Sequence, residues 1–235
     1  DGCSSDLAVA TLPNFDPIHY GDARAAYRTR IISDQYEPGS TFKIGVVSAG
    51  LQEGIITLND RFNCESPFSY GGKPLHDHGH YGVLTVEEII TKSSNIGAAR
   101  IGIQLGDRRL FEYIRRFGFG DRTGLELPAE TGGTVHKLSE WTGISIAQIP
   151  MGQGVAVTPL QMVMAMGAIA NHGRLMRPML VQRLEDSTGR TVYSAAPVPL
   201  RQVIGPPAVR DLAEALTTEV SQARPRTRAP RDRPP

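Results

Sequence analysis

From Pro38 onward the apolar positions fall into helical stripes separated by glycine- and proline-rich breaks. After Pro38-Gly39-Ser40, residues Phe42, Ile44, Val46, Val47 and Leu51 recur at helical or near-helical spacing, with Gly50 and Gly54 closing the run. The pattern predicts a helix with Ser40 at or near its N-terminus and Lys43 one turn on. Thr85-Val86-Glu87-Glu88 has the T-x-x-E form of a capping box, with Ile89 and Ile90 as the apolar face, so a helix is expected to start there and stop near Ser93-Ser94-Asn95. Another is expected through Ile101 and Leu105 to Gly106. A third, capped by Asp107, sets Leu110, Phe111, Ile114 and Phe117 on one face and stops at Gly118. Thr158-Pro159-Leu160-Gln161 combines an N-cap, a Pro at the first helical position and a Gln three residues after the cap, which predicts a helix to about Ala170 that ends near Gly173.

Between these lie weaker signals. Leu7–Leu12 reads as a short strand, and 13–37 as loop, punctuated by Pro13, Pro17 and Gly21. Residues 55–82 hold short strand-like pieces and a glycine- and histidine-rich loop. Met179–Glu185 and Thr191–Ser194, joined by Asp186-Ser187-Thr188-Gly189, have the form of a β-hairpin, and Pro207–Val220 that of a last helix. The end of the chain is an Arg/Pro-rich, low-complexity tail that is expected to be disordered. No internal repeat is visible. The reading is one domain over 1–220 and a tail over 221–235.

At 235 residues the chain is long enough to bury a substantial core. Its net charge of +1 gives no reason to expect a polyanionic partner. The tail carries five Arg against one Asp, a net +4, which leaves −3 for residues 1–220. Aromatic content of 6%, with one Trp, argues against a stacking platform for single-stranded nucleic acid. Cys3 and Cys64 are too few for a disulfide framework and sit in no C-x-x-C motif; one disulfide or two isolated small hydrophobes both fit. No run of about 18 apolar residues that would span a membrane occurs. The first residues, Asp1-Gly2-Cys3, read like the inside of a domain and point to a fragment.

The sharpest candidate chemistry is Ser40-Thr41-Phe42-Lys43. A serine hydroxyl is a weak nucleophile until a base takes its proton, and positions i and i+3 share a helix face, so the Lys43 amine can reach the Ser40 hydroxyl. Burial and neighbouring cations favour the neutral amine that such a base requires. The positive end of the helix suits the anionic oxygen formed in acyl transfer. The competing reading is an N-cap serine followed by a solvated lysine. Ser93-Ser94-Asn95 offers a hydroxyl and an amide that would relay a proton and hold a peptide group, or else a plain helix cap. His76-Asp77-His78-Gly79-His80, with Cys64 upstream, is either a zinc-binding set, with His76, His78 and His80 on one side, or a polar surface turn.

The two catalytic candidates together resemble the S-x-x-K and S-x-N pair of penicillin-binding proteins and class A β-lactamases. The segments Tyr36–Lys43, Leu84–Ala99, Gly124–Glu130 and Met151–Gln161 resemble, in order, four segments of the class B penicillin-binding proteins, most closely the division-type transpeptidases. The resemblance runs from about residue 7 to 220. It implies an α+β fold in which an antiparallel sheet is flanked by helices, with Ser40 at the start of a central helix and Ser93 on a loop between two others. It implies peptidoglycan D,D-transpeptidation outside the cytoplasmic membrane: an active serine attacks a terminal D-Ala-D-Ala, releases D-Ala, and passes the acyl group to an amine of a neighbouring stem peptide, while β-lactams are trapped as acyl-serine. By position Ser40 is the nucleophile, Lys43 its base, Ser93 the proton relay, and Asn95 binds substrate and orients Lys43. No metal or organic cofactor is implied. Stem peptides and β-lactams are the implied ligands, and division-complex membrane proteins the partners of the full-length parent. The family's third motif, K-T-G or K-S-G, is not present. After Lys92 the one further lysine is Lys137, followed by Leu138-Ser139. The expectation is a chain truncated or frame-shifted after about Val220, without its anchor and upstream domain, impaired as a transpeptidase, and prone to aggregate through an uncovered sheet edge. Two other functions fit less well: a hydrolase of the carboxypeptidase or β-lactamase kind, with Glu126 as the carboxylate to consider, and a non-catalytic β-lactam sensor or scaffold.

Overall fold

The computed structural model describes Leu12, Ile18 and residues 28–222, with side chains through residue 218. The strand expected over Leu7–Leu12 lies, apart from Leu12, outside the described residues, and so does the tail from residue 223. The part of the expected 13–37 loop that is described holds a short helix, α1 (Arg30–Ser33), anchored by buried Ile32.

A 3-10 turn (Gly39–Phe42) leads into α2 (Lys43–Gln52). Then come β1 (Arg61–Asn63), β2 (Phe68–Tyr70), β3 (Lys73–Leu75) and β4 (Val83–Thr85), followed by α3 (Val86–Thr91), α4 (Asn95–Leu105) and α5 (Asp107–Arg116). After an irregular stretch come α6 (Ser145–Gln148), a 3-10 turn (Ile149–Met151), α7 (Pro159–Ala170), β5 (Arg174–Met176), β6 (Arg183–Glu185), β7 (Thr191–Ser194), β8 (Pro199–Gln202) and α8 (Pro206–Gln222).

Both capping boxes form. Thr85 accepts from Glu88 N–H at 3.1 Å, and the Glu88 carboxylate accepts from Thr85 N–H at 3.0 Å. Thr158 and Gln161 do the same at 3.2 and 2.8 Å. Gln161, buried, also donates to the carbonyls of Asp121 and Gly132 at 2.9 and 2.7 Å, so one amide caps α7 and closes the 121–132 loop over it. At α5 the expectation needs correction. Gly106, at φ 85, occupies the N-cap without a side-chain cap, and Asp107 is the first helical residue, where its charge faces the positive end of the helix dipole. Phe111 lies toward Trp141, edge to face, and Tyr113 takes a buried place instead.

α2 is the central helix, packed against α3, α4, α5 and α8. Val46 and Val47 on α2, Ile96 and Ile101 on α4, Leu160 on α7 and Leu212 on α8 are fully buried. Each such side chain contributes about 1.5–3 kcal/mol relative to exposure. Gly102 permits the tight approach of α4 to the 145–151 segment, because a Cβ there would overlap Pro150. The strands among the described residues form four two-stranded antiparallel ladders: β1–β4, β2–β3, β5–β8 and β6–β7. The β6–β7 hairpin forms at the expected turn, pairing Arg183 with Ser194 and Leu184 with Tyr193, but its first strand begins at Arg183 and not at Met179. Its turn is closed by Asp186, which accepts from Thr188 N–H and hydroxyl. The β5–β8 ladder, pairing Arg174 with Gln202, was not foreseen.

Candidate active site

Ser40 is presented by a backbone clamped from behind. Tyr36 and Val157 exchange both backbone hydrogen bonds, at 3.0 and 2.9 Å. Glu37 accepts from Gly154 N–H at 2.8 Å, and Gly39 N–H donates to the Gly152 carbonyl at 3.2 Å. Two segments more than a hundred residues apart, 36–39 and 152–157, thus form the floor under the serine. Ser40 is exposed, whereas Lys43 is only 3% exposed.

The Lys43 amine has four polar neighbours. It lies 3.2 Å from Ser40 Oγ, 2.9 Å from Ser93 Oγ, 2.8 Å from Asn95 Oδ1, and against the Ser93 carbonyl. Two of these, the carbonyl and the amide oxygen, can only accept. A neutral amine has two hydrogens, and these two acceptors take both. Its lone pair is then left for the hydroxyls, which can donate. The Asn95 amide cannot turn around, because its Nδ2 donates to the His76 carbonyl at 3.0 Å.

Burial drives the Lys43 pKa down from 10.5 to about 8, opposed by the negative charge of Asp77. An amine with that pKa is in part unprotonated near neutral pH, as a general base requires.

Ser93 reaches the amine through an unusual backbone. It has φ 54, left-handed, at the residue after the C-cap of α3. Ser93 N–H bonds Ile90 O and Ser94 N–H bonds Ile89 O, both at 3.0 Å, the Schellman pattern that glycine usually fills. A serine there carries a strain of about 1–2 kcal/mol and turns both its carbonyl and its hydroxyl onto Lys43.

Asp77, expected only as part of a zinc-binding set or a polar turn, belongs to this site instead. Its carboxylate accepts from Ser94 Oγ at 2.7 Å, from Ile96 N–H at 3.1 Å, and from Asn95 N–H. It is engaged at the start of α4, while His76, His78 and His80 are exposed. Among the described residues no group of three or more His, Cys, Asp or Glu is arranged to hold a metal ion. Cys64 is buried and, among the described residues, free.

Glu126, the carboxylate to consider for hydrolysis, lies elsewhere, and so does its neighbour Glu130. Glu126 lines a groove of about 500 Å³ formed with residues 177–181 and 193–198, whose lining includes none of Ser40, Lys43, Ser93 and Asn95. Glu130 is buried, accepting from Thr123 and Gly124 N–H, which makes 124–130 a self-closed loop.

Helices around short antiparallel ladders, with S-x-x-K and S-x-N side chains meeting at one buried amine, define the penicillin-recognising serine acyl-transfer class. The chain belongs to the penicillin-binding protein transpeptidase domain family, whose profile matches residues 4–232. It is 34% identical over 222 residues to stage V sporulation protein D of Bacillus subtilis, covering 92% of this chain and 34% of that protein. It is 33% identical over 180 residues to peptidoglycan D,D-transpeptidase FtsI of Escherichia coli, covering 76% and 30%. The crystal structure of penicillin binding protein 3 from Mycobacterium tuberculosis, complexed with aztreonam, superposes with a TM-score of 0.76 at 30% identity, over 81% of this chain and 43% of that one. The resemblance to class B penicillin-binding proteins carried by the four segments therefore stands. The chain spans about a third of the length of these curated relatives.

Proposed function

We propose that this chain carries the acyl-serine centre of a peptidoglycan D,D-transpeptidase. Ser40 Oγ attacks the carbonyl of the terminal D-Ala-D-Ala peptide bond as Lys43 takes its proton. The tetrahedral intermediate collapses to the acyl-serine and expels D-Ala, whose amine receives a proton by way of Ser93. An amine of a second stem peptide then attacks the ester and frees Ser40. Asn95 holds Lys43 in place and receives the substrate's peptide group. β-Lactams enter the same path and stay as acyl-serine. The centre works on the outer face of the cytoplasmic membrane, beside the membrane proteins of the division complex.

The observation that carries this reading is the amine of Lys43, buried, 3.2 Å from Ser40 Oγ, with both hydrogens of its neutral form engaged by obligate acceptors. Transfer is favoured over hydrolysis because among the described residues no carboxylate hydrogen-bonds Ser40 or Lys43. The sequence holds no K-T-G or K-S-G, and loss of one oxyanion donor of the kind that motif supplies lowers acylation by about 10²–10³-fold.

A fluorescent penicillin tests both parts. The expected result is slow, saturable labelling that disappears in Ser40→Ala. Labelling that survives Ser40→Ala would overturn the assignment of the nucleophile. Prompt one-to-one labelling would overturn the impairment.

A further inference from the structure

We propose that Asp77 is a positioning residue for the Lys43 base: it fixes, through the start of α4, where Asn95 holds the amine, and its negative charge favours the protonated amine. The inference rests on reading Lys43 as the base.

Two adjacent residues grip Asn95. The His76 carbonyl takes its side-chain N–H at 3.0 Å, and the Asp77 carboxylate takes its backbone N–H. The one polar atom of the Asn95 side chain left over is Oδ1, and it points at Lys43. Capping alone does not call for Asp77. Ser94 already caps α4, its hydroxyl oxygen accepting from Gly97 N–H at 2.9 Å. What Asp77 adds is acceptance of the Ser94 hydroxyl proton and of the Asn95 and Ile96 N–H groups, together with a carboxylate at the positive end of α4.

That charge acts on a buried amine. Burial alone favours the neutral form, and Asp77 opposes it. Buried Cys64 lies by Ser94 and Asp77, its Sγ donating to the Phe62 carbonyl and its thiol pushed up by burial; most other ionisable side chains on the surrounding elements are engaged or turned outward. On α3, Glu88 pairs with Lys92 at 3.0 Å, and Glu87 is half-buried. On α4, Arg100 lies over the Phe68 ring at 4.1 Å. On α2 and α5, Glu53 pairs with Arg109 and accepts from Tyr113, and Arg116 lies over the Tyr113 ring. On α8, Arg210, Asp211 and Glu214 are exposed, as are His76, His78 and His80 in the loop of Asp77 itself. Without Asp77 the amine would lose its proton at lower pH, and Asn95 would lose the anchor of its backbone.

The test is a ¹⁵N side-chain titration of Lys43 in the native chain, in Asp77→Asn and in Asp77→Glu. The expected result is a Lys43 midpoint lowered by about one pH unit in Asp77→Asn and returned toward native in Asp77→Glu, which keeps the charge. The acidic limb of Ser40 acylation moves with it. A lowered melting temperature with an unmoved Lys43 midpoint would make Asp77 a helix cap and nothing more, and would overturn the proposal. Should Asp77→Asn not fold, the Asp77 ¹³Cγ resonance of the unmodified chain serves: coupling demands a small step near pH 8, where Lys43 titrates, and a flat trace there overturns it. A Ser40 that takes no penicillin while the Lys43 midpoint still moves would sink the transpeptidase reading and leave this coupling standing.

Discussion

Gly152 lies directly behind Gly39, its carbonyl 3.2 Å from the Gly39 N–H, and a Cβ on Gly152 would overlap the Gly39 backbone. Gly152 also has φ 76, a left-handed conformation that side chains disfavour. The turn presenting Ser40 therefore depends on a residue 112 positions away having no side chain. Gly152→Ala is expected to destabilise the fold by about 2–4 kcal/mol, through strain and overlap together, and to abolish Ser40 labelling. Denaturant unfolding checks the first effect. Native-like stability would contradict the packing described here.

Ser93 offers the opposite trade. Its left-handed backbone suits glycine, so Ser93→Gly relieves strain while removing the hydroxyl 2.9 Å from Lys43. The expected outcome is a melting temperature at or above native with acylation slowed by about 10²-fold, the low end for a lost proton-transfer group. A variant that melts lower and acylates normally would contradict both halves.

Lys43 also couples stability to pH. Its pKa is about 8 in the fold against 10.5 in the free residue. Between those values the folded chain has released a proton that the unfolded chain still holds, so stability rises with pH through that window; below about pH 8 the buried ammonium weighs against the fold. Relative to Lys43→Met, which does not titrate, the native chain is expected to gain on the order of 3 kcal/mol between pH 7 and 10.5. Denaturant unfolding of the two proteins at pH 7, 9 and 10.5 measures this, and parallel pH profiles would refute it.

The hairpin and the strand after it leave apolar side chains uncovered. Leu184, Val192 and Tyr193 are more than half exposed, and Leu180, Val181, Val198 and Leu200 lie nearby with lower but still substantial exposure. The isolated chain is expected to self-associate as concentration rises. Light scattering across a dilution series checks it, and a monomer at all concentrations with one sharp melt would count against it.

How far the sequence could be read follows from the range of each interaction. The starts of α3 and α7 were legible because a capping box is complete within four residues. Ser40 and Lys43 were legible for the same reason, and the S-x-N segment through resemblance. The role of Asp77 was not, since it depends on a loop folding back onto α4 at 17 to 19 residues' separation, and the neighbouring histidines made the loop look like a metal site. The β5–β8 ladder joins strands more than twenty residues apart, one opening with proline, and short strands carry little periodicity. At α5 an acidic residue beside glycine suggested a cap, but the positive φ fell on Gly106 and moved the boundary by one residue.

The most direct test of the acyl-serine centre is the mass of the fragment Ile31–Lys43, produced by trypsin after prolonged incubation with benzylpenicillin. The account predicts one intact penicillin on that fragment, located at Ser40 and missing in Ser40→Ala. An adduct on another fragment, or none at saturating penicillin, would contradict it.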